Sequence, residues 1–187
     1  MAIILASQSP RRRELMGLLR VPFTVCAADV DETMDPTKAP YDEVARLSRK
    51  KAEAVARLPG DIVIAADTIV VCEGRVLGKP VDETDAFRML RMLSGKAHEV
   101  MTGLTVLRDD KCVSRTEVAQ IRFRALTDGE ILSYIATGEP MDKAGAYGIQ
   151  GGAALFAETM TGDFYNVMGL PVCRLHMILK EFMEESI

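Results

Sequence analysis

The run Ile62-Val63-Ile64-Ala65-Ala66-Asp67-Thr68-Ile69-Val70-Val71 constrains the fold more than any other part of this chain. A β-branched apolar run of this kind reads as a buried strand, or as two strands in sequence with a break near Asp67. Asp67 is the anomaly in it. A carboxylate is seldom fully buried without a partner, because desolvating its ionised form is costly. An acid here therefore calls for a compensating cation: a metal, an arginine or a lysine. Read alone, the same residue serves equally well as a turn between two strands, with its side chain in water.

Three other features bear on that choice. Ala2-Ile3-Ile4-Leu5-Ala6 predicts a short buried strand, and Ser7-Gln8-Ser9-Pro10 a loop into a helix with Pro10 at its first position. Leu15, Leu18 and Leu19 give that helix its apolar stripe. Its first turn carries Arg11, Arg12 and Arg13, each opposing the helix dipole by about 0.3–1 kcal/mol at a surface. An anion reverses the sign, since free backbone N–H groups, serine hydroxyls and guanidinium forks all suit phosphate. A basic triplet alone would be a solvated face.

The second feature is Lys51. From Tyr41 to Leu58 the apolar residues Val44, Leu47, Ala54, Val55 and Leu58 form a helical stripe, and position 51 falls near its centre. Such a lysine either snorkels to the surface or reaches into a shared site, where Asp67 is available as counter-charge. The third is Gly138 to Gly152, which follows a helix opened by the capping box Thr127-x-x-Glu130. Its glycines let backbone approach a ligand, while Tyr147, Ile149 and the acid–base pairs argue for an ordered functional loop rather than a linker.

In this order the residues resemble the Maf (septum-formation-inhibitor-like) nucleotide pyrophosphatases. The matching pieces are Ser7-Gln-Ser-Pro-Arg-Arg-Arg, Asp31-Glu32, Arg49-Lys-Lys51-Ala, Ala66-Asp67-Thr68 and Gly78-Lys79-Pro80. They continue through Leu93-Ser-Gly-Lys96, the string from Glu139 to Gly151, and Asn166-Val-Met-Gly-Leu-Pro171. Gln8 stands where a smaller residue is common, and Arg13 and Lys50 add charges the motif does not require. The resemblance implies a Maf/inosine-triphosphatase-like fold with a long sheet and a cleft between two lobes. It also implies a cytoplasmic homodimer.

Composition agrees. The 187 residues suffice for one sizeable core, and no linker, repeat or low-complexity segment marks a second domain, so one domain over 1–187 is expected. A net charge of −4 argues against a nucleic-acid partner. No apolar run approaches membrane-spanning length, and the start lacks a signal-peptide layout, so no membrane partner is expected. Cys26, Cys72, Cys112 and Cys173 are far apart and read as ordinary buried thiols of a reducing compartment. His176 reads as a surface or packing residue of a helix over Val172–Glu184, and Met89 and Met92 as core filler in a helix around Ala86–Leu93. Helices interspersed with strands, a hairpin near Glu73-Gly74 and two long strands predict an α/β protein with a twisted mixed sheet and flanking helices.

The residue types fit cleavage between the α- and β-phosphates of a nucleoside triphosphate. Mg²⁺ or Mn²⁺ prefers carboxylate and phosphate oxygens, which suits Glu32 and Asp67. Read alone, Glu32 belongs to a solvated acidic run with Asp29, Asp31 and Asp35; the resemblance selects it. Asp67 is the better general base, with apolar flanks that disfavour its charge and a metal and Lys51 that favour it. Lys51, Lys79, Arg11, Arg12 and Ser7 are the expected phosphate contacts. The family branch acting on dTTP and UTP carries Arg, Thr and Gln at positions matching Arg11, Thr68 and Gln150; the resemblance therefore implies those substrates. Rival readings are a nucleotide-binding regulator of septation, a phosphomonoesterase or nucleotide-dependent transferase, and a pyrophosphatase for another base such as 7-methyl-GTP. No G-x-x-x-x-G-K-[ST] occurs to support a P-loop kinase.

Overall fold

A computed structural model gives the structure of residues 1–27 and 29–184. The apolar run forms one uninterrupted strand, β3 (Ile62–Cys72), in which every residue but Thr68 is buried. The alternative of two strands broken near Asp67 is thereby excluded. A strand apolar on both faces must be covered on both, and β3 sits in the interior of the sheet accordingly.

Around it the sheet has seven strands: β1 (Ile3–Leu5), β2 (Thr24–Val25), β4 (Arg75–Leu77), β5 (Ala97–Arg108), β6 (Lys111–Phe123) and β7 (Ala157–Thr161) complete it. Their order is β2-β1-β3-β5-β6-β7, with β4 also on β3. β1 pairs parallel with β2 and with β3, Leu5 lying opposite Ile64, whereas β3–β4 and β6–β7 are antiparallel. The sheet is therefore mixed, as the sequence implied. Glu73 and Gly74 turn the β3–β4 hairpin with φ of +50° and +75°, the paired positive values of a tight hairpin turn.

Six helices accompany the strands among the described residues: α1 (Pro10–Gly17), α2 (Pro40–Glu53), α3 (Glu83–Leu93), α4 (Asp128–Ile135), α5 (Phe164–Met168) and α6 (Val172–Glu184). α1 and α2 open on proline, and the capping box of Thr127 and Glu130 opens α4. α2 stops at Glu53, short of its apolar stripe, so Val55 is buried beyond the helix while Leu58 is 73% exposed. α1 buries Leu15 and Met16 but ends before Leu18, which is exposed.

The chain divides into two compact units, with β3, β5 and β6 each contributing to both. The first comprises 1–67, 102–117 and the chain from Gly169 onward. Its core includes Ile4, Ala52, Val55, Val63, Ala65 and Leu107. Here α2 meets β5 backbone to backbone: a Cβ at Gly103 would lie 2.2 Å from the Val44 carbonyl oxygen. Beside that contact the hydroxyls of Ser48, Thr105 and Ser114 form a chain with spacings of 2.7 and 2.8 Å. Its members satisfy one another where no water reaches Ser48 or Thr105.

The second unit comprises 68–101 and 118–168. Its core is built around Phe123, which meets Tyr147, His98 and Phe156 edge-on. Sequence reading gave His98 no role, yet it is 2% exposed and shares a 2.9 Å hydrogen bond with the Tyr147 hydroxyl. Burial lowers its pKa from 6.5 to about 4.

The expectation of four buried thiols is corrected. Cys72 is buried and Cys112 partly so, but Cys26 and Cys173 are exposed, and all four are free. Cys26 directly follows β2, whose residues are themselves exposed, and Cys173 lies on the outer face of α6. Among the described residues no helix is long and apolar enough to cross a membrane.

His98 sets an acid limb on stability. Its folded pKa of about 4 lies below the ordinary 6.5, so the unfolded chain binds the extra proton in that window, and stability falls as pH drops from 6.5 towards 4. Glu43 and Glu130, both held down to about 2 from 4.5, add a second loss as pH falls from 4.5 towards 2. Urea unfolding at stepped pH should show His98→Gln flattening the 6.5–4 limb, worth about 3 kcal/mol in full, and leaving the lower one. An unchanged upper limb would exclude His98 as its source.

Candidate active site

Lys51 lies in the last turn of α2, facing inward with Leu47 and Ala52, and is 8% exposed, as is Asp67. Its ammonium donates to Asp67 Oδ1 and stands 2.9 Å from Glu32 Oε1. The snorkelling alternative is therefore excluded: the side chain ends inside the first unit, on the carboxylate that β3 buries. Burying such a pair yields little net stability, because desolvation offsets the attraction.

The segment carrying Glu32 is held by α2. Lys50 Nζ donates to the Asp31 carbonyl at 2.8 Å, and Arg46 donates to that of Thr33 at 3.1 Å. Glu43, buried in the first turn of α2, accepts from the Asp35 N–H at 2.7 Å and from Arg46 at 2.8 Å. Arg46, and secondarily the Asp35 N–H, hold the Glu43 carboxyl down to about 2. Asp31 and Asp35 accept from the N–H and hydroxyl of Thr33 and Thr37, closing local turns. The acidic run is thus the solvated loop its composition suggests, with Asp31 and Glu32 exposed, but it is tethered to α2 as a strap. Its Glu32 side chain is 59% exposed apart from its contact with Lys51. Sequence reading missed Glu43; the only signal was an acid three residues before Arg46.

The residues expected to contact phosphate begin at the β1–α1 junction. Ser7 is buried and its hydroxyl accepts from the Ser9 N–H at 3.2 Å, while Ser9 caps α1 through the Arg12 N–H. Arg12 Nε donates to the Gly169 carbonyl at 2.7 Å. Burial lowers the Arg12 pKa, and the charges of Asp67 and Glu32 oppose that effect while Arg11 adds to it. Arg12 therefore lies within electrostatic reach of both carboxylates, with Arg11 beside it. Gly169, with φ of +108°, aims that carbonyl; the Asn166–Pro171 motif offered no hint of this partner.

Thr68, Lys79 and Gln150 belong to the second unit. Thr68 is partly buried on β3, and Lys79 is exposed just after β4. The neighbouring Gly78 carbonyl accepts from the Gly145 N–H at 2.9 Å, which ties Gly-Lys-Pro to the glycine-rich loop. That loop is ordered, as expected, through 3₁₀ turns at Glu139–Asp142, Ala144–Ala146 and Gly152–Leu155. Lys143 Nζ donates at 2.7 Å both to the Glu139 carbonyl and to Asp142. Gln150 stands exposed on a tight turn closed by the Gly151 N–H and the Gly148 carbonyl at 3.0 Å.

No group of three or more His, Cys, Asp or Glu among the described residues is placed to hold a metal ion. The site offers two carboxylates, Glu32 and Asp67, brought together on one ammonium. This donor set fits Mg²⁺ or Mn²⁺, which binds through one or two carboxylates and completes its shell with phosphate oxygens and water.

Residues 2–182 match the family described as Maf-like protein. The chain belongs to that family. A dTTP/UTP pyrophosphatase of Bacillus cereus (strain AH187) is 50% identical over 181 residues, 96% of this chain and 95% of that protein. One of Bacillus thuringiensis subsp. konkukian (strain 97-27) is 49% identical over the same proportions. Among solved structures, a HAM1 protein from Coxiella burnetii superposes with a TM-score of 0.52 at 15% identity, over 97% of this chain and all (100%) of that one. The Staphylococcus aureus Ham1 protein gives 0.52 at 13%, over 97% and 99%. These distant structures show that the Maf-like chain shares their fold.

The Lys51–Asp67 pair makes a thermodynamic prediction. Lys51→Met leaves Asp67 as a buried charge short of its closest partner. It should cost about 3 kcal/mol in urea denaturation, the lower end for a broken buried pair because Arg12 remains within reach. Adding Asp67→Asn should restore most of that loss. Strictly additive losses would show that the two residues are not coupled.

Proposed function

We propose that this Maf-like protein hydrolyses dTTP and UTP to the nucleoside monophosphate and pyrophosphate. The observation that carries the reading is the buried Lys51 ammonium holding Asp67 and Glu32 within electrostatic reach of Arg12. Relatives sharing half of its residues, named dTTP/UTP pyrophosphatases, support the substrate class. Water attacks the α-phosphorus, its proton passes to an Asp67 carboxylate oxygen, and the bond from that phosphorus to the α–β bridging oxygen breaks. The electron pair leaves with pyrophosphate. A triphosphate brings about four negative charges, and positioning with charge neutralisation supplies most of the catalysis in such transfers. Lys51, Arg11, Arg12 and Lys79 provide cations for that charge, and the Ser7 hydroxyl a further phosphate contact.

Glu32 and Asp67 would hold a divalent cation, Mg²⁺ or Mn²⁺, which when bound polarises the phosphate oxygens and favours ionisation of water. Lys51 has a second task in this reading: it keeps both carboxylates at one point and their charge compensated. Resemblance to the family also supports a cytoplasmic homodimer. With a nucleotide panel and either metal, the products should be monophosphate and pyrophosphate, and chelation should stop turnover. Orthophosphate as product would overturn the reaction, and binding without turnover would favour a regulator. Asp67→Asn should lower kcat at least ~100-fold with the fold intact; retention of more than about a tenth of turnover would remove Asp67 as base.

Base choice is assigned to Gln150, with Thr68 and Arg11 as the other residues matching the pyrimidine branch. A carboxamide sets one acceptor beside one donor, complementary to the N3–H and adjacent carbonyl of uracil or thymine. A mismatched base leaves polar groups unpaired, so purine triphosphates should be at least about tenfold poorer in kcat/KM. Gln150→Glu should lose pyrimidine activity disproportionately, because a carboxylate cannot donate to the base carbonyl. A wild-type preference for ATP, GTP or 7-methyl-GTP would refute the base assignment alone.

A further inference from the structure

Gln150 cannot choose a base by its chemistry alone. Its amide, rotated by half a turn, would match cytosine as well, so which base it selects depends also on the direction in which the side chain leaves the backbone and on the edge it thereby meets. The second unit contains a device that fixes that direction. Tyr134, buried in the last turn of α4, accepts at its hydroxyl from the Gly148 N–H at 3.0 Å and donates to Glu139 Oε1 at 2.9 Å. The other oxygen, Glu139 Oε2, accepts from the Gly152 N–H at 3.0 Å. One hydroxyl and one carboxylate, bonded to each other, therefore grip the loop on both sides of Gln150.

Packing makes the grip tight. A Cβ at Gly151 would lie 2.1 Å from Glu139 Oε1, and one at Gly152 would lie 3.1 Å from the Tyr134 ring. At Gly148 a Cβ would meet Lys143 Cε at 2.7 Å. At these glycines the loop backbone is closely approached by the side chains of Glu139, Lys143 and Tyr134, and a side chain there would displace them. Between the gripped ends Ile149 is buried in the core of this unit and Gln150 points outward. With Ile149 as an anchor and both flanks held, the backbone of Gln150 has little freedom left, and ordering it on binding costs correspondingly less.

We propose that Tyr134 and Glu139 are positioning residues for base selection: by clamping Gly148 and Gly152 they fix the turn that presents Gln150 to the base. The proposal rests on the reading of Gln150 as the group that meets the base edge. Burial raises the Tyr134 pKa, so its hydroxyl keeps the proton it donates to Glu139. A residue that merely stabilised the loop would lower activity on every nucleotide alike; a clamp acting through Gln150 alters the preference between bases.

The test is a double-mutant cycle on kcat/KM for UTP and GTP, using wild type, Tyr134→Phe, Gln150→Ala and the double variant. Phenylalanine keeps the edge-on ring contact with Phe156, 5.2 Å between centroids, and removes only the hydroxyl. Tyr134→Phe should reduce the UTP-to-GTP ratio about tenfold, mainly through KM for UTP, and should have no further effect on that ratio once Gln150 is alanine. Glu139→Gln, which keeps a single oxygen for two bonds, should give an intermediate fall and serves in place of Tyr134→Phe should that variant not fold. A fall with Gln150→Ala but none with either clamp variant would overturn the clamp and leave Gln150 as base reader. No fall with Gln150→Ala would overturn the base-reader assignment and the clamp with it. Equal losses on UTP and GTP, or additive effects on their ratio, would show a purely structural role and overturn the proposal.

Discussion

One ion pair governs the first unit. Asp67 lies in a largely apolar strand, buried between Ala66 and Thr68, and the Lys51 ammonium is its closest compensating charge there. That contact joins α2 to the sheet. The helix comes close enough only because residue 103 lacks a Cβ, and its approach is held by the buried hydroxyls of Ser48, Thr105 and Ser114. Three features that look unrelated in the chain thus meet where α2 packs against the sheet.

The same helix organises the acidic strap. Glu43, Arg46 and Lys50 bind its backbone, so that Glu32 meets Lys51 without having to be ordered when a substrate arrives. Arg12 is likewise held in advance by the Gly169 carbonyl. Groups already fixed in place stabilise developing charge without reorganising at the moment of reaction, which gives such supporting bonds their value. The glycine-rich loop of the second unit is pre-ordered by different means, with the side chains of Tyr134, Glu139 and Lys143 bonded to its backbone.

The chain shows how far residue chemistry reaches by itself. Period and composition identified α2, the capped start of α4, the hairpin at Glu73-Gly74 and the mixed sheet, because each depends on local preference or on one apolar face. They misjudged the end of α2: its stripe runs on to Leu58, and only the turn after Glu53 decides that Leu58 faces water. Thiol burial was misjudged at Cys26 and Cys173, since a small apolar residue carries no record of which face it occupies.

By itself the sequence determined that an acid interrupts the apolar run, that a lysine lies on the apolar stripe of a helix, and that arginines crowd a helix start. Those facts are chemical anomalies, visible because each violates a local rule. Tertiary structure decided which anomalies answer one another. The Lys51–Asp67 contact spans sixteen positions in the chain, the Arg12–Gly169 bond 157, and the clamp on Gln150 depends on a tyrosine hydroxyl that accepts from the Gly148 N–H and that no pattern singled out. Such partnerships are set by the packing of a helix on a sheet and of a loop on a core, and no local preference encodes them.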